Sequence, residues 1–172
     1  MLVSLRARQT HLTVVLLACF LVTPVAAFAG GAGPSHSKHS PLEVLVLGSG
    51  GPRAFGRAST SYVVLVDGVP RILVDAGPGA FLQLGKLEVN LDQLDTVLLT
   101  HLHIDHSADL PAVFLARGLT SKGPIQFKVF GPEGGAGFPS TTKFLHLLFD
   151  AGGVFEYQKT FGAEENIVGV EH

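Results

Sequence analysis

Residues 100–106 read Thr100-His101-Leu102-His103-Ile104-Asp105-His106, with three imidazoles and a carboxylate inside six consecutive positions, 101–106. The apolar run Thr96 to Leu99 just before them predicts a buried strand, so the histidines stand at a strand's carboxyl end. Side chains two apart on an extended segment project the same way, which lets His101 and His103 offer nitrogen to one ion. The chain must then turn, carrying Asp105 and His106 to a neighbouring point. That geometry suits two ions side by side, and imidazole with carboxylate is a donor set for zinc or a similar borderline metal. From this chain's own histidine and aspartate frequencies, His-x-His-x-Asp-His arises by chance in roughly one such sequence per thousand.

Working outward, strand signals precede this stretch and alternate with helices after it. Val44 to Leu47, Tyr62 to Val66 and Ile72 to Val74 read as strands, and Asp67-Gly68 marks a tight hairpin between the last two. Ala80 to Leu87 reads as a helix. Leu110 to Leu119 reads as another, with Asp109 as its cap and Pro111 in the tolerated first turn. Ile125 to Phe130 is a fifth strand, Thr142 to Phe149 a helix entered through Ser140-Thr141, and Asn166 to Val170 begins a sixth strand. A hairpin-linked group followed by alternation predicts an α/β layered sheet rather than a purely parallel one. The glycine-rich loop Gly48 to Arg53 puts Arg53 where a dinucleotide fingerprint needs its third glycine, and Gly131 to Gly137 lacks a following Lys-Ser/Thr pair. Both loops are therefore expected to serve tight backbone turns. His146, within Phe144-Leu145-His146-Leu147, reads as a helix-surface histidine.

The amino terminus reads as an address. Arg6 and Arg8 precede the apolar run Leu12 to Val22, and Ala27-Phe28-Ala29 supplies small residues where a signal peptidase reads them. The run is short for a bilayer span of about 20 residues, so no stable membrane span is expected. Leu16-Leu17-Ala18-Cys19 offers a lipoprotein cleavage box as the second reading; both export the chain, to the periplasm or beyond. The expected organisation is a signal peptide over 1–29, a flexible Gly/Ser/His-rich linker over 30–41 and one domain over 42–172. His36 and His39 fall in that linker and read as solvated.

Composition narrows the partners. Charged residues make up 15% of the chain and apolar types 47%, which excludes a disordered, collagen-like or coiled-coil protein. Twelve basic against fourteen acidic residues give a formal charge of −2, so no basic field holds a polyanion by counterion release. Nucleic acid is disfavoured as a partner on that ground. The single cysteine, Cys19, excludes a disulfide scaffold or a cysteine-rich zinc module.

At the quoted residues the chain resembles the metallo-β-lactamase superfamily of hydrolases, in detail its ribonuclease Z and arylsulfatase-like branch. Leu47-Gly48-Ser49-Gly50-Gly51-Pro52, Ser59-Thr60-Ser61, Leu73-Val74-Asp75-Ala76-Gly77, Thr100 to His106 and Gly131-Pro132 stand in that family's order and spacing. The resemblance covers about residues 43–172. It implies the amino-terminal half of an αββα sandwich, with His101 and His103 on a first zinc and Asp105 and His106 on a second. Asp75 would support the ligand loop from behind. The family takes further ligands from a second half, and His172 lies about where its third histidine would fall. His172 either completes the first zinc or is a terminal histidine of no consequence, and both readings stay open. No residue here supplies the family's bridging aspartate or last histidine, so the chain is expected to be the amino-terminal part of a longer domain. Its exposed sheet face would favour pairing of two copies.

The expected activity is metal-dependent hydrolysis of an ester-type bond in a small molecule: a phosphodiester, sulfate ester, lactone or lactam. Asp105 would orient the attacking water and pass its proton to the leaving group. The rivals are a catalytically inactive metal-binding or interaction protein and a secreted metal scavenger that also uses His36 and His39. Amino-terminal sequencing of protein made in cells is expected to begin at Gly30; a start at Met1 in a soluble cytoplasmic fraction would overturn the export reading.

Overall fold

The computed structural model describes residues 40–53, 55–121, 125–160 and 165–171. The expected signal peptide, His36, His39 and His172 lie outside the described residues. Six strands form one sheet in sequence order: β1 Leu42–Gly48, β2 Ser61–Val66, β3 Val69–Val74, β4 Thr96–Leu98, β5 Ile125–Gly131 and β6 Glu165–Glu171. The first three pair antiparallel, and β3 to β6 pair parallel. The turn between β2 and β3 has positive φ at both Asp67 (51°) and Gly68 (77°), the backbone of a primed two-residue hairpin.

Among the described residues four α-helices accompany the sheet: α1 Ala80–Lys86, α2 Ile104–Ser107, α3 Leu110–Thr120 and α4 Thr141–Phe149. α1, α3 and α4 each cross between neighbouring parallel strands. Such crossovers are right-handed, and here the strand order advances in one direction, so all three helices fall on the same face. Packing agrees. The row Leu45, Val63, Leu73, Val97, Val129 and Gly169 runs across the sheet in register. Its central members share one core with Leu84 of α1, Leu110 and Phe114 of α3, and Leu145 and Phe149 of α4. Phe114 stacks on Phe127 with ring centroids 4.1 Å apart.

The opposite face carries Val46, Tyr62, Val74, Leu98, Phe130 and Val170 in one register row. On it Leu42, Val44 and Val46 of β1 are exposed. This is the mixed α/β sheet expected from the hairpin-then-alternation order.

One expected cap is reassigned. Asp109 stands at the start of α3 but its side chain makes no bond to that helix. Its Oδ2 instead accepts from the backbone N–H of Gly79 (2.9 Å) and Phe81 (3.0 Å), closing the start of α1. Asp109 has helical backbone angles, φ −87° and ψ −2°, whereas a capping residue is usually extended, so its carboxylate reaches the neighbouring helix start. At α4 the expected entry holds: the Ser140 hydroxyl accepts from the N–H of Lys143. His146 is exposed on α4, as expected, and bonds Asp150 at that helix's end. That bond, with Lys159 also at hand, holds the Asp150 carboxyl below its ordinary value.

Asp109→Ala is expected to lower stability by about 1 kcal/mol through lost capping of α1. Asp109→Asn, which keeps an acceptor, should lose less. Urea denaturation of the two variants checks the ordering.

Candidate functional site

Loops after β3, β4 and β5 gather at the carboxyl ends of the parallel strands, where open α/β sheets place their sites. The β4 loop carries the histidines. His103 is still extended, at φ −61° and ψ 150°, and caps the start of α2, a single turn holding Asp105 and His106. The expected turn is therefore helical. It brings the rings together: the His101 centroid lies 3.9 Å from that of His106 and 4.8 Å from that of His103.

Asp75, at the end of β3, organises this group. It is 1% exposed, and its carboxylate accepts from the Thr100 N–H (2.8 Å), the Thr100 hydroxyl (2.9 Å) and His106 Nδ1 (2.7 Å). A carboxylate that only accepts requires a proton on His106 Nδ1, which leaves Nε2 with its lone pair free. Thr100 spends its one hydroxyl proton on Asp75. Its oxygen then accepts from His101 Nδ1, 3.1 Å away, so His101 Nε2 is free as well. This is the way a carboxylate behind a metal-binding histidine fixes the ring and its tautomer.

The donor set fits a divalent ion in part. Asp105 Oδ2 lies 3.6 Å from His106 Nε2, too far for a hydrogen bond. Two ligands about 2.1 Å from one ion at a tetrahedral angle stand about 3.4 Å apart, so this pair has the spacing of shared ligands. His101 and His103 form the other pair of donors. Among the described residues no three of His, Cys, Asp and Glu converge on one point, so neither set is closed.

The supporting backbone is tight. Ala76 N–H donates to the His106 carbonyl (2.7 Å) and Asp109 N–H to the Ala76 carbonyl (2.8 Å), lacing the β3 loop to α2. The Ser61 hydroxyl donates to the Asp75 carbonyl, 2.9 Å away. Asp75 itself has φ +56°, a left-handed conformation that a non-glycine residue adopts at a cost and that such a bonded setting sustains. In the first glycine-rich loop, where tight turns were expected, Gly50 serves a close backbone approach: its N–H donates to the Ala58 carbonyl at 2.9 Å, and a Cβ there would lie 2.8 Å from that oxygen. Neither Thr100 nor Ser61 is marked by its sequence context as a support of Asp75. A hydroxyl next to a histidine motif carries no periodic signal, and Ser61 becomes relevant only through strand pairing.

Residues 55–166, well over half of the chain, match the sequence model of the metallo-beta-lactamase superfamily. The chain belongs to this superfamily. The Ribonuclease Z of Mycolicibacterium gilvum is 34% identical over 97 residues, covering 55% of this chain and 34% of that protein. The Ribonuclease Z of Mycobacterium avium is 36% identical over 104 residues, covering 59% of this chain and 37% of that protein. The crystal structure of human tRNase Z, short form, superposes with a TM-score of 0.56 at 25% identity, over 74% of this chain and 44% of that one. The match thus spans about a third of the length of these curated relatives. Their names also remove the support for excluding nucleic acid: net charge describes the whole surface, whereas a site binds through local donors.

Gly77 tests how closely the two loops fit. A Cβ there would lie 2.0 Å from the Asp105 carbonyl oxygen and 2.8 Å from Ser59 Cβ. Gly77→Ala is expected to destabilise the fold by about 1–3 kcal/mol. Gly85→Ala in α1, with nothing within 4 Å, should be neutral or stabilising by up to about 1 kcal/mol. Thermal unfolding of both variants decides.

Proposed function

We propose that this chain is the metal-binding half of an exported hydrolase that cleaves an ester-type bond, with a phosphodiester favoured. The single observation that carries the reading is the Asp75–His106 bond at 2.7 Å, which turns His106 Nε2 toward Asp105. The Ribonuclease Z relatives support a phosphodiester.

In this reading His101 and His103 hold one ion, and Asp105 and His106 hold the second. Ions at these positions supply Lewis acidity and lower the pKa of water toward neutrality. Thr100 and Asp75 keep the imidazoles of His101 and His106 in the tautomer with the proton on Nδ1 and the lone pair on Nε2. Asp105, buried at 8% exposure, orients the attacking water and returns its proton to the leaving group. His172 would add a third donor to the first site. The signal-like run Leu12 to Val22 with Ala27-Phe28-Ala29 supports release into the periplasm or medium.

A second reading is an inactive metal-binding or interaction protein. It is favoured by the open donor sets among the described residues. With two donors to each ion among the described residues, a metal would be held weakly and would supply little of its chemistry, and each tenfold loss of rate corresponds to about 1.4 kcal/mol of barrier. The chain alone is therefore expected to turn over slowly.

Elemental analysis of purified protein is expected to find zinc, lost in the His101→Ala, His103→Ala double variant. Asp75→Asn should weaken zinc by about 10–100-fold. Equal metal in wild type and double variant would overturn the metal assignment. Phosphodiesterase and esterase turnover with added zinc should be far lower than in a longer version carrying a second half-sandwich. Comparable turnover from both would show that this chain's own residues suffice.

A further inference from the structure

A cavity of about 360 Å³ opens beside the histidine group, and its lining is unlike that group's chemistry. One wall is His101 and Leu102 of the β4 loop; the other is Pro132, Gly134, Ala136 and Phe138 of the loop between β5 and α4. The lining holds no carboxylate, ammonium or guanidinium group, so the slot suits an uncharged, apolar part of an occupant. Two of the lining residues are rings, the imidazole of His101 and the phenyl of Phe138, and the rest are aliphatic or glycine.

Phe138 is the one large apolar side chain in the loop Pro132 to Ser140, and it is 43% exposed. It is nevertheless held in place. Gly135 and Phe138 exchange two backbone hydrogen bonds, at 3.0 and 2.9 Å. At the loop's base, the N–H and hydroxyl of the fully buried Thr141 both donate to the Pro132 carbonyl at 3.0 Å. The Phe138 ring meets that of His103 at 82°, with centroids 4.9 Å apart. A phenyl ring fixed beside two candidate metal ligands, on the rim of an apolar slot, presents a surface for another ring.

We propose that this cavity is a substrate subsite for a flat aromatic ring borne by the ester under attack, with Phe138 as its specificity-determining residue. The inference rests on the hydrolase reading for the word substrate. Because His101 is both a wall and a proposed ligand, the ring sits next to the reacting bond. A nucleobase and a simple aryl ester share this chemistry; stacking on an aromatic side chain favours either by about tenfold or more over a group with no ring.

The test needs neither metal nor turnover, so its outcome is separate from that of the hydrolase reading. The full chain is titrated in EDTA, by NMR, with methyl phosphate, phenyl phosphate and uridine 5′-monophosphate. The two aromatic probes are expected to bind about tenfold tighter than methyl phosphate. A tighter nucleotide assigns the slot to a nucleobase, and equal or tighter phenyl phosphate assigns it to an aryl group. Phe138→Leu should abolish the preference while Phe138→Tyr retains it, with circular dichroism confirming both folds. Equal affinity for all three probes in wild type, or an unchanged preference in Phe138→Leu, overturns the proposal.

Discussion

A carboxylate taken out of water is costly unless its oxygens meet donors, and Asp75 at 1% exposure meets that condition with three groups from one loop. The Thr100 N–H and hydroxyl and the His106 imidazole all come to it, so the end of β3 and the loop after β4 are one unit. The left-handed backbone of Asp75 has the same origin, since its own N–H and carbonyl are held by Leu98 and Ser61. Burial of the acid thus fixes both the tautomer of His106 and the path of the chain around it.

That unit exists only because the sheet brings β3 beside β4. Their parallel register, Ile72 with Thr96 through Val74 with Leu98, sets Asp75 level with Leu99 and just below the histidines. The Asp75 N–H continues the ladder by donating to the Leu98 carbonyl at 2.8 Å. β5 then adds its own loop at the same end, which puts Pro132 and Phe138 across the cavity from His101. Fold topology, rather than any local propensity, decides that three loops distant in sequence share one site.

The same topology leaves the sheet unequal. Helices α1, α3 and α4 share their core with one face, while the other carries the row from Val46 to Val170 and exposes Leu42, Val44 and Val46 of β1. A metallo-β-lactamase sandwich has a second layer of this kind to cover such a face. The match spans about a third of the length of the Ribonuclease Z relatives.

Much of this was legible in the residues. Apolar runs broken by Gly, Pro and Asp-Gly located all six strands to within a few positions, because strand length and turn chemistry are local properties. The ligand candidates were legible too, since the spacing of His101, His103, Asp105 and His106 is itself the signal. Several features were not. The helical turn at Ile104–Ser107 is too short to show a period, and Asp109 caps a helix that lies behind it in sequence. The service of Thr100 and Ser61 to Asp75, and of Phe138 to the cavity, depends on residues 14 to 37 positions apart being brought into contact. Side-chain type and spacing determine what chemistry this chain can offer; strand pairing alone decides which of those groups meet.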